Sequence, residues 1–305
     1  MYYKQLTEKK KVEIDILLKQ NLSMREVGRR LNISHSTISR YKSNFYYHKR
    51  KIDIYVKYPV FIKYLHDHYD HKIKSIEVCH HIFHKNYPGA PHVSVKQIYN
   101  WIHQGKLKFN DNDLCYKRRS KFKRKTNMMN HTFWNIENKT ILPISLRPKY
   151  INERREPGHL EIDSIIGKKN EKEAIISIVD RCTRMTWLIK ADYRYDYYTS
   201  NLIYKYLTQN NIKVNSITVD NGLEFKRMGI AAKRLDVKLY KCDPYCSFQR
   251  GSNERMNAIV RRFLPKGSSF KYTSQIYLED IAFKINAMPR KLFNFKCAYE
   301  INTII

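Results

Sequence analysis

The order of apolar segments between residues 159 and 263 constrains the fold of this chain more than any other feature of its sequence. The pattern predicts three strands joined by short turns, followed by helix, strand, helix, strand and helix. The predicted strands are residues 159–166, 174–179, 185–189, 216–219 and 237–240. The predicted helices are residues 197–207, 225–235, 252–263 and, last, 274–286. This order indicates an α/β domain with a mixed five-stranded sheet and helices on its faces.

The first fifty residues have a helical pattern instead. Ser23 and Glu26 have the spacing of a capping box, and Ser34 precedes a further short helix over residues 36–41. Two short helices joined by residues 31–33 are typical of a helix-turn-helix. The alternative is an ordinary helical hairpin with a solvated basic face. In a helix-turn-helix, the side chains expected to face the DNA major groove are His35, Ser36, Thr37, Ser39 and Arg40.

A similar pattern returns between residues 73 and 105. Ser94 caps its second helix and Gly105 closes it, which predicts a second helix-turn-helix-like unit. The outward side chains of that helix are Lys96, Gln97, Asn100 and His103. The first helix of the unit contains Cys79, His80, His81 and His84. Paired zinc-ligand spacing is absent, which favours solvated or core histidines over a metal site.

The charge of the chain favours a polyanionic partner. Lys and Arg total 58 of the 305 residues, against 28 Asp and Glu, which gives a net charge of +30. Such a charge indicates nucleic-acid binding. The basic run at 117–125 predicts a linker that also tracks phosphates. The phosphate-binding side chains expected there are Lys117, Arg118, Arg119, Lys121, Lys123 and Arg124.

Two further features bear on location. No apolar run approaches the length of a membrane span, and the first residues have no signal-peptide pattern. The six scattered cysteines form no disulfide framework. We therefore expect a cytoplasmic protein of a reducing compartment, with no membrane partner.

Acidic residues are scarce, so their positions are informative. Asp163 lies in the middle of a predicted strand, where an acid opposes strand propensity. Asp220 follows a strand in an Asp-Asn-Gly sequence, and Glu254 falls early in a helix. Singly, these acids fit an ion pair, a turn residue and a helix-dipole contact. Together they form the pattern by which a ribonuclease-H-like sheet brings carboxylates together on divalent metals.

Three segments carry a resemblance to a known family. They are residues 158–167 (GHLEIDSIIG), 220–225 (DNGLEF) and 243–254 (DPYCSFQRGSNE). The chain resembles DDE-type insertion-sequence transposases with a retroviral-integrase-like catalytic core, and among them the insertion-sequence-thirty group. This chain departs from the group at three places. Members of the group often have Trp where this chain has Leu160 and a small residue where it has Ile162. They often have Pro-Trp where this chain has Ser247 and Phe248. None of these departures removes a carboxylate.

The resemblance implies a site and an activity. Asp163, Asp220 and Glu254 would be the catalytic residues and would hold two Mg²⁺ ions, for which Mn²⁺ substitutes, with Asp163 bridging both. Supporting or strand-positioning residues would be Asn221, Arg250 and Asn253. The protein would bind the terminal inverted repeats, cleave DNA and transfer strands, as a homodimer or higher oligomer on paired ends. The alternatives are a sequence-specific DNA-binding regulator, a nuclease of the same fold, and a catalytically decayed transposase.

These observations predict that the chain is divided into four segments. Residues 1–48 are expected to form a helix-turn-helix DNA-binding domain, and residues 49–116 a second, helix-turn-helix-like one. Residues 117–150 are expected to be a basic linker. Residues 151–305 are expected to form the ribonuclease-H-like integrase catalytic domain with a C-terminal helix.

Overall fold

The computed structural model describes residues 6–49, 53–115, 141–244 and 246–304 of the chain. They belong to two compact units. One unit comprises Met1–Tyr64 with Gly89–Pro91, and the other comprises Leu65–Pro88 with His92–Ile305. Within the described ranges, every helix is too short or too polar to cross a bilayer. The predicted phosphate contacts at Lys117, Arg118, Arg119, Lys121, Lys123 and Arg124 lie outside the described residues.

The first unit contains the predicted helix-turn-helix. Its helices are α1 (Glu8–Lys19), α2 (Met24–Leu31) and α3 (His35–Lys49). The Ser23 hydroxyl caps α2 by accepting the Glu26 N–H at 3.2 Å. Gly28 makes the turn compact, because a Cβ there would lie 2.7 Å from the Ile33 carbonyl oxygen. Three fully buried side chains, one from each helix, form the small core: Ile14, Val27 and Ile38.

Four α-helices follow within residues 53–115. They are α4 (Ile54–Lys57), α5 (Pro59–His68), α6 (Ile76–Asn86) and α7 (Val95–His103). Ser75 caps α6 and Ser94 caps α7 through their hydroxyl groups. Gly105 closes α7 with a left-handed φ of 62°, a conformation that costs glycine little. The helices α6 and α7 pack together, so the second helical pair occurs where it was predicted.

Among the described residues, the sheet has six strands and lies within the second unit. The strands are β1 (Ile141–Pro143), β2 (His159–Ile166), β3 (Ala174–Asp180), β4 (Thr186–Ala191), β5 (Ser216–Val219) and β6 (Lys238–Lys241). Their spatial order is β1-β6-β5-β2-β3-β4. Strands β2, β3 and β4 form an antiparallel meander, whereas β5 and β6 continue the sheet from β2 in parallel. This is the strand arrangement of a ribonuclease-H-like domain.

The sixth strand corrects the predicted count of five. β1 pairs in parallel with β6, and Ile141 lies opposite Leu239. The strand is three residues long and ends in Pro143, so it is too short to show a period-two pattern. It also lies between 117 and 150, where a basic linker was expected.

Helices cover both faces of this sheet. The remaining helices are α8 (Lys149–Asn152), α9 (Asp196–Gln209), α10 (Met228–Arg234), α11 (Gly251–Phe263), α12 (Gln275–Asn286) and α13 (Ala298–Ile304). Residues of α9 and α10 share one buried cluster with one face of the sheet, and residues of α11 and α12 share another with the opposite face. Because side chains alternate along β2, Leu160 and Ile162 face α9 and α10, while Glu161 and Asp163 face α11.

Candidate active site

Two of the predicted carboxylates lie side by side. β2 and β5 are parallel neighbours in which Glu161 pairs with Thr218, and continuing this register brings Asp163 beside Asp220. The Arg250 guanidinium bridges the two acids. Its Nη1 lies 3.0 Å from Asp163 Oδ1, and its Nη2 lies 2.8 Å from Asp220 Oδ2. The fold therefore converges two acids that are far apart in sequence.

The electrostatics of this pair follow from burial. The side chain of Asp163 is 21% exposed, and burial raises the pKa of its carboxyl group, an effect that Arg250 opposes and Asp220 reinforces. Burial by itself lowers the pKa of Arg250, but Asp163 and Asp220 outweigh it, so the pKa of the guanidinium is raised overall. The positive charge of the bridging guanidinium reduces the repulsion between the two carboxylates.

The backbone N–H and the missing Cβ of Gly222 both shape the loop at Asp220. The Gly222 N–H donates to Asp220 Oδ1 at 2.9 Å. A Cβ on Gly222 would lie 2.9 Å from that same oxygen, so any side chain there would push against the carboxylate. The side-chain amide of Asn221 donates to the Cys242 carbonyl at 2.7 Å, which ties this loop to the end of β6.

The third acid, Glu254, is on the first turn of α11 and is exposed. Asn257, three residues further along the same helix, donates its amide N–H to Asp163 Oδ2 at 2.8 Å. Residues three apart on a helix are neighbours on its surface. Glu254 therefore borders the helical position that contacts Asp163. The three carboxylates offer only oxygen donors, which suits Mg²⁺ or Mn²⁺.

The fully buried Glu161 is a functional candidate that the sequence analysis did not single out. Its carboxylate pairs with Arg181 and also accepts the Asn253 backbone N–H at 2.9 Å. Asn253 is itself buried, and its backbone rather than its side chain makes this link. Because α11 has no side-chain cap of its own, Glu161 supplies the anion at the helix N-terminus. The sequence contains one indication of this role: Glu161 is an acid two residues before Asp163 and therefore lies on the same face of the strand.

Buried arginines surround the contact between Glu161 and the N-terminus of α11. Arg181 donates to the Ile151 carbonyl at 3.3 Å, and Arg184 donates to the Ser252 hydroxyl on α11. Arg147 donates to Thr218 Oγ1 at 3.2 Å. Burial lowers the pKa of Arg147 and of Arg184 to about 10 in each case, so both remain charged at neutral pH. The N-terminus of α11 is thus held by a charged network and not by apolar packing alone.

The predicted DNA contacts of the helical segments lie at the surface. Ser36, Ser39 and Arg40 are exposed on α3, and Thr37 is half-buried. On α7, three further predicted contacts are exposed: Lys96, Gln97 and Asn100.

Known proteins are similar to this chain in its helix-turn-helix segment and over nearly its whole length. Residues 2–41 match the family described as a helix-turn-helix domain. The probable transposase for insertion-like sequence element IS1161 of Streptococcus salivarius is 30% identical over 335 residues, which cover 98% of this chain and 94% of that relative. The transposase InsI for insertion sequence element IS30A of Escherichia coli K12 is 36% identical over 169 residues, covering 55% of this chain and 43% of that relative.

Two other matches are of interest. The transposase for insertion sequence element IS4351 of Bacteroides fragilis is 32% identical over 207 residues, covering 68% of this chain and 63% of the relative. Among solved structures, the catalytic core domain of BIV integrase aligns with 48% of this chain and 94% of its own, at 16% identity and a TM-score of 0.37.

The fold and the site define a helix-turn-helix protein with a ribonuclease-H-like domain that places two acids side by side and a third on an adjoining helix. Similarity to the S. salivarius relative extends over nearly all of both chains. The chain belongs to the family of insertion-sequence transposases.

Proposed function

We propose that this protein recognises the terminal inverted repeats of its insertion element and catalyses metal-dependent cleavage and strand transfer of DNA. The observation that carries the proposal is the pairing of Asp163 with Asp220 on parallel strands, next to the helix that bears Glu254. A regulator that only binds DNA has no use for this convergence of acids. The family relationship supports the same conclusion.

In this proposal, Asp163, Asp220 and Glu254 would hold two Mg²⁺ ions. Bound Mg²⁺ would supply an activated oxygen nucleophile and neutralise charge on the departing 3′ oxygen. Asn257 orients the Asp163 carboxylate through its amide. Arg250 holds Asp163 and Asp220 together before metal arrives, and its positive charge is then available to a DNA phosphate.

DNA binding in this proposal uses the exposed side chains of α3 and α7 and the basic run at 117–125. The net charge of +30 supports sequence-independent attraction to DNA in addition. We further propose that a homodimer or higher oligomer joins the two element ends in the cytoplasm. A complex of paired ends with a single protomer, measured by light scattering, would contradict this.

The test is an assay of cleavage and joining with labelled element-end DNA and Mg²⁺ or Mn²⁺. We expect Asp163→Asn, Asp220→Asn and Glu254→Gln each to lower the rate by about a thousandfold or more, since metal ligation contributes several kcal/mol to such a transition state. DNA binding by the three variants is expected to persist.

Asp236→Asn is the matched control. Asp236 is exposed and has a φ of 53°, a conformation that asparagine tolerates well. This variant should cleave and join at the wild-type rate. Tight DNA binding without cleavage by the wild-type protein would indicate a regulator or a decayed transposase instead.

A further inference from the structure

Three histidines converge away from the carboxylates. His80 and His84 lie one turn apart on α6, and His92 precedes α7 in the same compact unit. One ligating atom from each residue lies within 4.8 Å of those of the other two. The ring centroids of His80 and His84 are 4.5 Å apart, and those of His84 and His92 are 5.0 Å apart. His92 is the exposed member of the trio.

A hydrogen bond defines which nitrogen of His80 is the donor. Its Nε2 lies 2.7 Å from the Val93 carbonyl oxygen. A carbonyl oxygen only accepts, so Nε2 carries the proton and the neutral ring has its lone pair on Nδ1. Metal-binding histidines usually donate their other N–H to a carbonyl or carboxylate in this way, because the bond fixes ring orientation.

The surroundings of His80 and His84 also favour the neutral, metal-binding form of their rings. Burial lowers the pKa of His84, and the adjacent His80 and His92 lower it further. Burial likewise lowers the pKa of His80; the Val93 hydrogen bond opposes this, His92 and His81 reinforce it, and Glu77 raises the pKa. Neutral imidazoles packed this closely can share one cation.

We propose that His80, His84 and His92 form a binding site for a divalent transition metal, with Zn²⁺ as the ion best matched and solvent as the fourth ligand. Three imidazole donors suit Zn²⁺, whereas the carboxylates of Asp163 and Asp220 suit Mg²⁺. Tetrahedral Zn²⁺ requires nitrogens roughly 3.3 Å apart. The three ligating atoms lie within 4.8 Å of one another, so small side-chain rotations would bring them to this spacing.

The site would connect the two helices of the second helical pair. His80 and His84 belong to α6, while His92 lies just ahead of Ser94, which caps α7. A bound metal would therefore fix the start of the helix on which Lys96 and Gln97 are exposed. This predicts that Zn²⁺ stabilises the second helical pair and that Mg²⁺ does not.

Full-length protein carrying Asp163→Asn and Asp220→Asn provides the background for the test, because the carboxylate site then contributes little metal binding. Zn²⁺ is titrated against a chromogenic chelator, and the melting temperature is recorded with and without Zn²⁺. We expect one Zn²⁺ per chain and a higher melting temperature on its addition. His84→Gln and His92→Asn, each added separately, should weaken binding by at least about tenfold and abolish the rise.

His71→Asn is the matched control, since His71 is exposed in the same unit and outside the trio. It should bind Zn²⁺ like the parent. Because His92 is also exposed, His92→Asn should leave folding intact and isolate the loss of the ligand. Absence of stoichiometric Zn²⁺ in the parent, unchanged binding in the variants, or an equal loss in His71→Asn would each overturn the proposal.

Discussion

The two faces of the sheet differ in chemistry although the same strands build both. The face toward α9 and α10, here called the apolar face, consists of aliphatic side chains: Leu160, Ile162, Ala174, Ile176, Ile178, Ile189, Ala191, Ile217, Val219 and Leu239. The face toward α11 and α12, here called the mixed face, also has aliphatic residues but includes buried or half-buried polar ones. These are Glu161, Asp163, Ser177, Thr186, Ser216 and Thr218.

Because of this difference, the two faces contribute differently: one mainly to the stability of the fold, the other mainly to the position of α11. Apolar contacts are favourable in many arrangements and tolerate adjustment. A buried hydrogen bond or ion pair is favourable only at one distance and angle, and leaving one partner alone is costly. The mixed face therefore fixes where α11 lies relative to β2, which the apolar face has no need to do.

The largest expected effect of breaking the mixed face is at Glu161. Glu161→Leu leaves Arg181 buried without its carboxylate and removes the acceptor for the Asn253 N–H. We expect a loss of about 3–5 kcal/mol in the free energy of unfolding. Urea denaturation measures it. Cleavage should also require more Mg²⁺, because the start of the helix bearing Glu254 is no longer anchored.

The double variant Glu161→Leu/Arg181→Met distinguishes positioning from simple instability. Removing both charges should restore most of the stability, since well-packed apolar side chains often replace a buried ion pair without loss. The raised Mg²⁺ requirement should remain, because the Asn253 N–H still has no anion to bind. Recovery of wild-type Mg²⁺ dependence in the double variant would show that Glu161 acts only through stability.

This network also shows what local sequence patterns reveal. The succession of strands and helices along the chain was predictable because alternation is local. The position of Asp163 was predictable because an acid in the middle of a strand interrupts that alternation. The roles of Glu161 and Asn257 were not, because their partners are remote in sequence and depend on how α11 packs on β2 and β3. The strand β1 was missed because three residues ending in proline show no period.

The outer edge of β4, which α12 covers, offers a second, smaller test of the mixed face. Asn286 on α12 accepts the Thr186 N–H at 2.9 Å and donates to the Thr186 carbonyl at 2.8 Å. Gln275 does the same for the Lys190 N–H and the Leu188 carbonyl. The two side-chain amides make the hydrogen bonds that the backbone of a further strand would make at this edge of the sheet.

Asn286→Ala should therefore cost about 2 kcal/mol of unfolding free energy, because two buried backbone groups lose their partners. Gln275→Ala should cost less, since its hydrogen bonds are only partly buried and water can replace them. Thermal unfolding measures both. The rate of cleavage by the folded protein should be unchanged, because neither residue contacts the carboxylates. Equal losses in the two variants would argue against burial as the cause.

The smallest expected effects come from two adjacent residues on opposite faces. Ile176→Val removes one methylene group from the apolar face and should cost about 0.5–1.5 kcal/mol of stability while leaving the cleavage rate intact. Ser177 donates to Asn257 Oδ1 at 2.7 Å, and Asn257 in turn orients Asp163. Ser177→Ala should lower the cleavage rate roughly fivefold, the value of one hydrogen bond of about 1 kcal/mol. Cleavage kinetics and urea denaturation of the same preparations separate the two effects. If Ile176→Val reduces the rate as much as Ser177→Ala, the two faces are coupled and the division between stability and geometry is wrong.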